Sequence, residues 1–449
     1  MDIIVPEKKV PVAYECDVLV VGGGPAGIAA AVSAARHGAK TLLVERWPSV
    51  GGQATNALVN IWHTSDRKKQ VIFGLVQEVI ERAGPVMHRL PHYPERSETH
   101  EFEPSGMRVV FHQLLEDAGV RTICHLAAVE SIIENNIIRG VLVDAKTGRK
   151  AIRAKIVIDA TGDGDIAANA DVPFAIGRDE DGRVQGMTMM FRLCGIDPAK
   201  AIAHPREADR VFARMKELRA QGQFPPFMDL AADSYLHAPR LHDVSYNMCP
   251  VSGNPLDEEE LTRLSVQARR QVAAYAEFWR REMPGFEAVE IEQMAFWLGI
   301  RESRRIRGLK TLDASMVVNA KKQPDAVGHG FWMVDIHDPK GSGHTTWADQ
   351  KAGAMPPAGE SYHIPLGMSL NAHIPNLAVV GRCASATHEG LASVRVQTHC
   401  MVMGQGVGTA AALAMQGNID MAHIDAKSLQ KTLIADGVYL HDIPPCGEK

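Results

Sequence analysis

Residues 20–46, VVGGGPAGIAAAVSAARHGAKTLLVER, place three glycines (Gly22, Gly24 and Gly27) between two segments of different periodicity. The residues before the glycines are apolar, as in a central strand buried on both faces. The residues after them are small, recur at helical spacing and end at Gly38. KTLLVE then predicts a second strand. Strand, glycine turn, helix and strand form a βαβ unit, which constrains the fold more than any other feature of the chain.

Each glycine of this unit has a physical role in holding a dinucleotide. Gly22 permits the tight turn, Gly24 allows the backbone to approach a pyrophosphate, and Gly27 lets the helix pack closely on the strand. The free amides at the start of the helix then face the anion. Glu45, at the end of the second strand, is placed to accept hydrogen bonds from a ribose and to repel a 2′-phosphate. We therefore predict a dinucleotide-binding unit.

A second glycine pair follows in RWPSVGGQAT, at Gly51 and Gly52. The combination VGGGPAGIAAA…ER…GGQAT resembles the FAD-binding segment of flavoprotein oxidoreductases of the glutathione-reductase and fumarate-reductase type. The resemblance implies that the cofactor is FAD. It also implies cofactor contacts at Gly22, Gly24, Pro25, Ala26, Gly27, Glu45, Arg46, Gly52 and Gln53.

Further along, VESIIENNIIRGVLVDAKTGRKAIRA predicts a three-stranded meander, with turns at Asn135-Asn136 and at Lys146-Thr147-Gly148. A buried strand over 156–159 then leads into ATGDGD. In the flavoproteins that the chain resembles, a meander and a strand of this kind return the chain to the cofactor. The resemblance implies further FAD contacts at Ala128, Val129, Ala160, Thr161, Gly162 and Asp165.

Near the carboxyl terminus, a buried strand over 377–380 precedes Gly381-Arg382 and a helix of small residues with Gly404, Gly406 and Gly408. Each glycine costs about 1 kcal/mol inside a helix, so three of them indicate a demand for close packing. In the resembled flavoproteins this helix approaches the isoalloxazine. The implied FAD contacts here are Gly381, Arg382, Leu391, Ala392 and Val394.

The resemblance covers nearly the whole chain and is closest to bacterial FAD-dependent oxidoreductases, whose members carry out varied chemistry. It implies an α/β fold with a Rossmann-like FAD-binding domain, a parallel sheet and a β-meander, plus an inserted α+β cap domain. We predict a discontinuous FAD-binding domain over 1–60, 105–172 and 366–449, and a substrate or cap domain over 61–104 and 173–365. Within the cap, a long amphipathic helix begins at a capping box of Asp257 and Glu260 and stops at Pro284-Gly285.

Acid–base and anion-binding residues are expected beside the flavin. We select His344 and His388 as candidate acid–base residues, with His63 third, since they lie near the FAD motifs or in a cap segment rich in His, Gly and Trp. Arg301 and Arg395 are candidates for binding a substrate carboxylate or the negative charge of the reduced flavin. No cluster has metal-ligand spacing, and we predict no metal site.

The remaining composition narrows the function. The net charge is −5 with no basic stripe, which argues against a nucleic-acid partner. No apolar stretch approaches the roughly 18–20 residues that span a bilayer. The amino-terminal residues lack the apolar run of a signal peptide, and the seven cysteines are scattered, so we expect a cytoplasmic protein.

We predict a FAD-dependent dehydrogenase or reductase that moves a hydride between flavin and a small polar organic substrate. The alternatives are an oxygen-using oxidase or monooxygenase, a tRNA-modifying flavoprotein and a non-catalytic relative. The chain has no second GxGxxG unit and no CxxC. Substrate and an external electron donor or acceptor must therefore each reach the flavin from outside. The sequence leaves open the substrate, the reaction direction, covalent attachment of FAD and formation of a homo-oligomer.

Overall fold

A seven-stranded sheet forms the centre of the molecule in the computed structural model. The structure describes residues 3, 7–66, 68–84, 87–89, 99–203, 207–225, 243–340 and 354–444. His344, one of the predicted acid–base residues, lies outside this described part of the chain.

Strands occur along most of the described chain. In chain order they are β1 (Val12–Val21), β2 (Thr41–Val44), β3 (Ile61–His63), β4 (Met87–Arg89), β5 (Thr99–Phe102), β6 (Arg121–Ile123), β7 (Ala127–Glu134), β8 (Ile137–Ala145), β9 (Gly148–Asp159), β10 (Phe174–Ile176), β11 (Met187–Cys194), β12 (Asp243–Val251), β13 (Glu290–Met294), β14 (Arg304–Ile306), β15 (Ala326–Gly330), β16 (Tyr362–Pro365) and β17 (Leu377–Val379).

The longest α-helix of the described chain, α7 (Glu258–Glu282), is the long helix predicted in the cap. In chain order the α-helices are α1 (Pro25–Arg36), α2 (Leu75–Arg82), α3 (Pro104–Asp117), α4 (Asp165–Asn169), α5 (Pro198–Ala203), α6 (Glu207–Ala220), α7 (Glu258–Glu282), α8 (Ala314–Val318), α9 (His388–Val394), α10 (Gln397–Gly417) and α11 (Ala426–Ala435). Among the described residues, none of the helices is both long and apolar enough to cross a membrane.

The central sheet has the order β6-β2-β1-β9-β8-β7, with β17 also paired to β9. Strands β6, β2, β1, β9 and β17 are parallel to one another where they pair, whereas β8 pairs antiparallel with both β7 and β9 and so forms the meander. Both residues of its first turn, Asn135 and Asn136, have positive φ, as the predicted two-residue turn requires.

Strand β9 is longer than the sequence predicted. The third strand of the meander and the strand over 156–159 were predicted as separate elements, but they are one continuous strand from Gly148 to Asp159. No glycine or proline interrupts it after its first residue, so it leaves the meander without a break. Its first half pairs with β8, and its second half pairs with β17.

Helix α10 packs directly on α1, and glycines make the approach possible. A Cβ atom added at Gly404 would lie 2.1 Å from the carbonyl oxygen of Ala26, and one at Gly408 would lie 2.2 Å from that of Ala30. Gly406 lies on the opposite face of α10, where an added Cβ atom would lie 2.4 Å from the Cβ of Val327 on β15. The three glycines therefore meet the packing demand that their position in a helix indicated.

A second hydrophobic core lies between helix α7 and the sheet β12-β11-β13, and it includes the buried Trp279 and Tyr275. By contrast, Trp62 and Phe331 pack in the same core as α1 and α10. The predicted domain boundaries, which place 61–104 and 173–365 together, stay a prediction.

Helix α7 begins and ends where the sequence predicted. The Asp257 side chain accepts a hydrogen bond from the backbone nitrogen of Glu260, and the helix ends at Glu282, just before Pro284. The capping box is not reciprocal, however. The Glu260 carboxylate accepts from the backbone nitrogen of Asn254, which lies further upstream than the expected Asp257.

Candidate cofactor site and the neighbouring charged cluster

The chain segments assigned to FAD from the sequence meet at the carboxyl edge of the central sheet. A Cβ atom added at Gly22 would lie 2.4 Å from the carbonyl oxygen of Ala160, and one at Gly52 would lie 2.9 Å from the Cα of Gly24. A Cβ at Gly381 would lie 3.1 Å from that of Ala26. The first glycine turn thus contacts the second glycine pair, the ATGDGD segment and the Gly381-Arg382 segment.

The three fingerprint glycines differ in what surrounds them. A Cβ at Gly27 would collide with the Gly22 carbonyl oxygen at 1.9 Å, so Gly22 and Gly27 serve the packing of the turn. A Cβ at Gly24 would meet no protein atom within 4 Å. Gly24 is also the N-cap of α1 and has no side chain to cap the helix. This open space before unprotected helix amides fits a pyrophosphate group.

Glu45 is buried at the end of β2 and is tied to the glycine turn. Its Oε2 accepts a hydrogen bond from the backbone nitrogen of Gly23 at 2.7 Å, and its Oε1 accepts from that of Trp47 at 3.0 Å. Burial raises the pKa of Glu45, while the two backbone donors oppose that rise. Each carboxylate oxygen can accept a second hydrogen bond, so the ribose role predicted for Glu45 is compatible with these contacts.

The ATGDGD segment is organised by Asp159, a residue that the sequence analysis did not select. Its fully buried carboxylate accepts hydrogen bonds from Thr161 through both the backbone nitrogen and Oγ1, and from the backbone nitrogens of Ile166 and Ala167. Burial raises the pKa of Asp159 to about 6. The polar groups of Thr161 are therefore engaged within the loop.

Charged residues predicted as cofactor contacts form a network around Asp163. Arg382 Nη2 lies 2.7 Å from Asp163 Oδ1, and Arg46 Nη2 lies 3.6 Å from Asp163 Oδ2. Burial opposes ionisation of Asp163, but Arg382 outweighs it and the pKa is lowered. Arg304 pairs with the predicted contact Asp165 at 3.0 Å. This network joins the Gly381-Arg382 segment to the ATGDGD segment, and a Cβ at Gly162 would lie 3.1 Å from Arg382 Nη2.

The other predicted cofactor residues occupy two further places. Ala128 and Val129 lie at the start of β7, close to Glu45, because the backbone nitrogen of Leu126 donates to the Glu45 carbonyl oxygen. Leu391, Ala392 and Val394 lie in the short helix α9, which the sequence analysis did not predict, and their side chains are fully buried. Pro25 and Ala26 form the first turn of α1. The side-chain oxygen of Gln53 would lie 3.7 Å from a Cβ atom added at Gly299, a residue within the predicted cap.

A sequence model of the family described as FAD dependent oxidoreductase matches residues 17–433. The chain belongs to this family. FAD is therefore the family cofactor, as predicted, and the predicted α/β fold with a Rossmann-like FAD-binding domain is confirmed. The bacterial origin that was part of the resemblance stays a prediction.

Characterised relatives match only part of the chain. The thiamine thiazole synthase of Methanococcus vannielii is 30% identical over 157 residues, which are 33% of this chain and 56% of that protein. The thiamine thiazole synthase of Sulfolobus acidocaldarius is 32% identical over 35% of this chain and 59% of its own length. The chain thus spans a little over half the length of these relatives.

Among solved structures, similarity extends along the chain at low identity. A p-nitrophenol 4-monooxygenase from Pseudomonas putida gives a TM-score of 0.48 with 10% identity, over 96% of this chain and 91% of that one. A geranylgeranyl bacteriochlorophyll reductase-like protein from Thermoplasma acidophilum gives 0.46 with 14% identity, over 96% and 92%. The identification of this oxidoreductase rests on the family match.

The junction between α9 and α10 adjoins a cluster of half-buried charged and polar side chains, Arg301, Asp335, His337 and Arg395. We call it the Arg395 cluster. Arg395 Nη2 donates to the Asp335 carbonyl oxygen at 2.8 Å and lies 3.7 Å from the Asp335 carboxylate. His337 Nε2 lies 3.6 Å from the same carboxylate. Arg301 Nη1 donates to Gly186 and Thr188.

Protonation in the Arg395 cluster is set by burial and by its two arginines. Burial, followed by the positive charge of Arg301, lowers the pKa of His337 to about 4, although Asp335 opposes this shift. Burial disfavours ionised Asp335, but His337 and Arg395 outweigh it and lower its pKa. Burial also lowers the pKa of Arg395. At neutral pH the cluster therefore holds a neutral imidazole between a carboxylate and two guanidinium groups.

The predicted catalytic residues do not form one group. Arg301 belongs to the Arg395 cluster. His63 lies on β3, where its ring stacks on Trp332 at 4.5 Å and its carbonyl oxygen accepts from Thr398 at the start of α10. His388 begins α9, and its Nδ1 lies 2.7 Å from Glu302 Oε2.

Asp335 and His337 were missed in the sequence because VDIHDPK has neither metal-ligand spacing nor a helical or strand pattern. The available signal was a histidine two residues after an aspartate in the segment rich in His, Gly and Trp. Arg395, in contrast, was selected from its place just before the small-residue helix.

Proposed function

We propose that this oxidoreductase moves a hydride between FAD and a small polar organic molecule, and that the Arg395 cluster holds an anionic group of that substrate. One observation carries the proposal. Arg395 directly follows Val394, one of the α9 residues assigned to the flavin together with Leu391 and Ala392. Its side chain is mostly buried, and its buried Nε has no hydrogen-bond partner among the described residues. A buried guanidinium nitrogen left unpaired in the protein is a site for an anionic oxygen.

His337 supplies the proton-transfer group of the proposal. Because its pKa lies near 4, the imidazole is neutral at pH 7 and can accept a proton from a substrate hydroxyl. The neighbouring Asp335 carboxylate would stabilise the imidazolium that results.

The cofactor residues support binding and orientation. The glycine turn, Glu45 and the Asp163 network of Arg46 and Arg382 would hold the FAD. When bound, FAD supplies the hydride acceptor or donor. The Arg395 guanidinium would orient the substrate through charge-assisted hydrogen bonds.

The test is an anaerobic visible spectrum of the oxidised, FAD-loaded protein during addition of polyols and hydroxy acids. We expect the flavin bands to bleach with one anionic class, and to bleach about tenfold or more slowly in Arg395→Gln. Arg281→Gln is a matched control, since Arg281 is exposed on α7. Bleaching that occurs equally in Arg395→Gln, or with none of these compounds, would contradict the proposal.

A further inference from the structure

A cavity of about 910 Å³ is lined by Ile336 and Asp338, which alternate along the chain with Asp335 and His337. This volume is within the range of small-molecule sites. The wall of the cavity includes Ile336, Thr311, Ser385, His388, Arg307 and Lys340. None of the cofactor residues assigned from the sequence lines it.

The wall of this cavity contains a buried carboxylate–imidazole pair. His388 lines the cavity, and its Nδ1 lies 2.7 Å from Oε2 of the fully buried Glu302. Glu302 is itself held by the backbone nitrogen of Gln185 at 2.9 Å and by an ion pair with Arg305. His388 Nδ1 and Glu302 Oε2 lie within ion-pair distance without meeting hydrogen-bond geometry, and the negative charge of Glu302 beside Nδ1 favours the neutral tautomer that carries its proton on that nitrogen. Nε2, on the opposite side of the ring, is then a hydrogen-bond acceptor.

The cavity and the Arg395 cluster are separated by the chain itself. Asp335 and His337 turn toward Arg395, whereas the intervening Ile336 and the following Asp338 line the cavity. A ligand in the cavity would therefore not occupy the substrate position proposed beside Arg395.

The chemistry of the lining selects a class of ligand. Its lining contains equal numbers of basic and acidic side chains: Arg178, Arg305, Arg307 and Lys340, and Asp179, Glu180, Asp338 and Glu389. The wall near His388 adds hydroxyl groups, and Thr311 Oγ1 lies 3.0 Å from Ser385 Oγ. Carboxylates accept from hydroxyls, guanidinium groups donate to them, and Thr and Ser do both. Such a mixed lining with no excess of charge suits a neutral molecule with several hydroxyl groups.

We infer that this cavity is a second ligand site, for a neutral polyol or sugar. One ligand hydroxyl donates to His388 Nε2, Glu302 positions the imidazole, and further hydroxyls contact Thr311 and Ser385. The site is distinct from the hydride-transfer site proposed above.

The experiment measures binding of D-glucose and myo-inositol to the FAD-loaded protein by saturation-transfer NMR and calorimetry. We expect both probes to bind wild type, with affinity about fivefold or more lower in His388→Gln and about threefold lower in Thr311→Val. His423→Gln, at an exposed residue, and Thr432→Val, at a half-buried residue of α11, are the matched controls and should bind as wild type. Flavin absorbance of each variant reports whether it has folded.

Three results would overturn the inference. The probes fail to bind wild type, or they bind His388→Gln and Thr311→Val unchanged, or only a charged analogue such as D-gluconate binds. The Arg395→Gln variant separates the two proposals. It should keep sugar binding even where flavin bleaching is lost, and loss of sugar binding in that variant with FAD retained would mean one site rather than two.

Discussion

Glu45 Oε2 lies 2.7 Å from the backbone nitrogen of Gly23, so the carboxylate at the end of β2 holds the glycine turn at the end of β1. The same side chain binds the backbone of Trp47. Glu45 therefore stabilises the shape of the cradle in addition to its proposed contact with a ribose. The two roles act on the same measurable quantity, the affinity for FAD.

Replacing Glu45 with alanine is expected to weaken FAD binding at least about tenfold, since hydrogen bonds to a charged group are lost from both the turn and the ribose. Titration of the apoprotein with FAD, followed by flavin fluorescence, measures the change. Glu15→Ala removes an exposed carboxylate from β1 and should leave the affinity unchanged. Full FAD loading of Glu45→Ala would show that the cradle is misassigned.

A valine at Gly24 should block FAD without unfolding the apoprotein. Gly24 has a φ of −74°, which any residue adopts, and its added Cβ meets no protein atom. We expect the ratio of flavin to protein absorbance to fall to near zero, with the melting temperature of the apoprotein within a few degrees of wild type, in the range of about 0.5 kcal/mol. Gly417→Val, at the exposed end of α10, is the control. Normal loading of Gly24→Val would remove the pyrophosphate assignment.

Asp335→Asn should destabilise the protein and make its stability depend on small anions. The substitution leaves the mostly buried guanidinium of Arg395 without its carboxylate partner, and breaking a pair that is largely removed from water costs about 3 kcal/mol. Urea unfolding at pH 7 measures this loss. Added acetate should restore part of it in Asp335→Asn and have little effect on wild type. Equal responses to acetate in both proteins would argue against an anion site at Arg395.

Acidification should destabilise the protein through buried histidines. Burial lowers the pKa of His337 and of His363 to about 4 and that of His399 to about 3. Between these pKa values and a pH of about 6.5, the histidines are protonated in the unfolded chain but not in the folded chain. The free energy of unfolding therefore falls as the pH falls. The raised pKa of Asp159 acts in the opposite direction, because the folded chain binds a proton there that the unfolded chain does not. Its effect on the pH dependence of stability cancels that of about one histidine.

We expect each of these histidines to contribute about 1.4 kcal/mol of lost stability per pH unit in that window. Urea unfolding of wild type and His363→Gln at pH 7, 6 and 5 measures the slope, which should be shallower in the variant. His423→Gln alters an exposed histidine and should keep the wild-type slope. An unchanged slope in His363→Gln would mean that His363 titrates alike in both states.

The parts of the fold that sequence predicted are those encoded locally. The Gly22–Gly27 turn, the Asn135-Asn136 turn and the cap of α7 at Asp257 depend on residues a few positions apart, and all three are present. The continuity of β9 was missed because adjacent β-forming segments carry no mark of whether they join. Helix α9 was missed because seven residues are too few to show a period.

The charged groups were harder to predict, because their roles depend on contacts across long separations. Asp335 meets Arg395 and Glu302 meets His388 only after the chain has folded. His388 was selected for its position near the carboxyl-terminal helix. Its partner Glu302 lies in the segment RESRR, where only an arginine, Arg301, was selected. Residue type therefore identified the candidates, and only the tertiary structure could group them.

The glycine contact between α1 and α10 sets an order of events during synthesis. Helix α1 leaves the ribosome long before α10, the helix that covers it, and before strand β17, which completes the sheet beside β9. Until then the apolar face of α1 lacks its partner and the cofactor cradle lacks one wall. A nascent chain stalled before α10 should therefore neither retain FAD nor escape capture by chaperones.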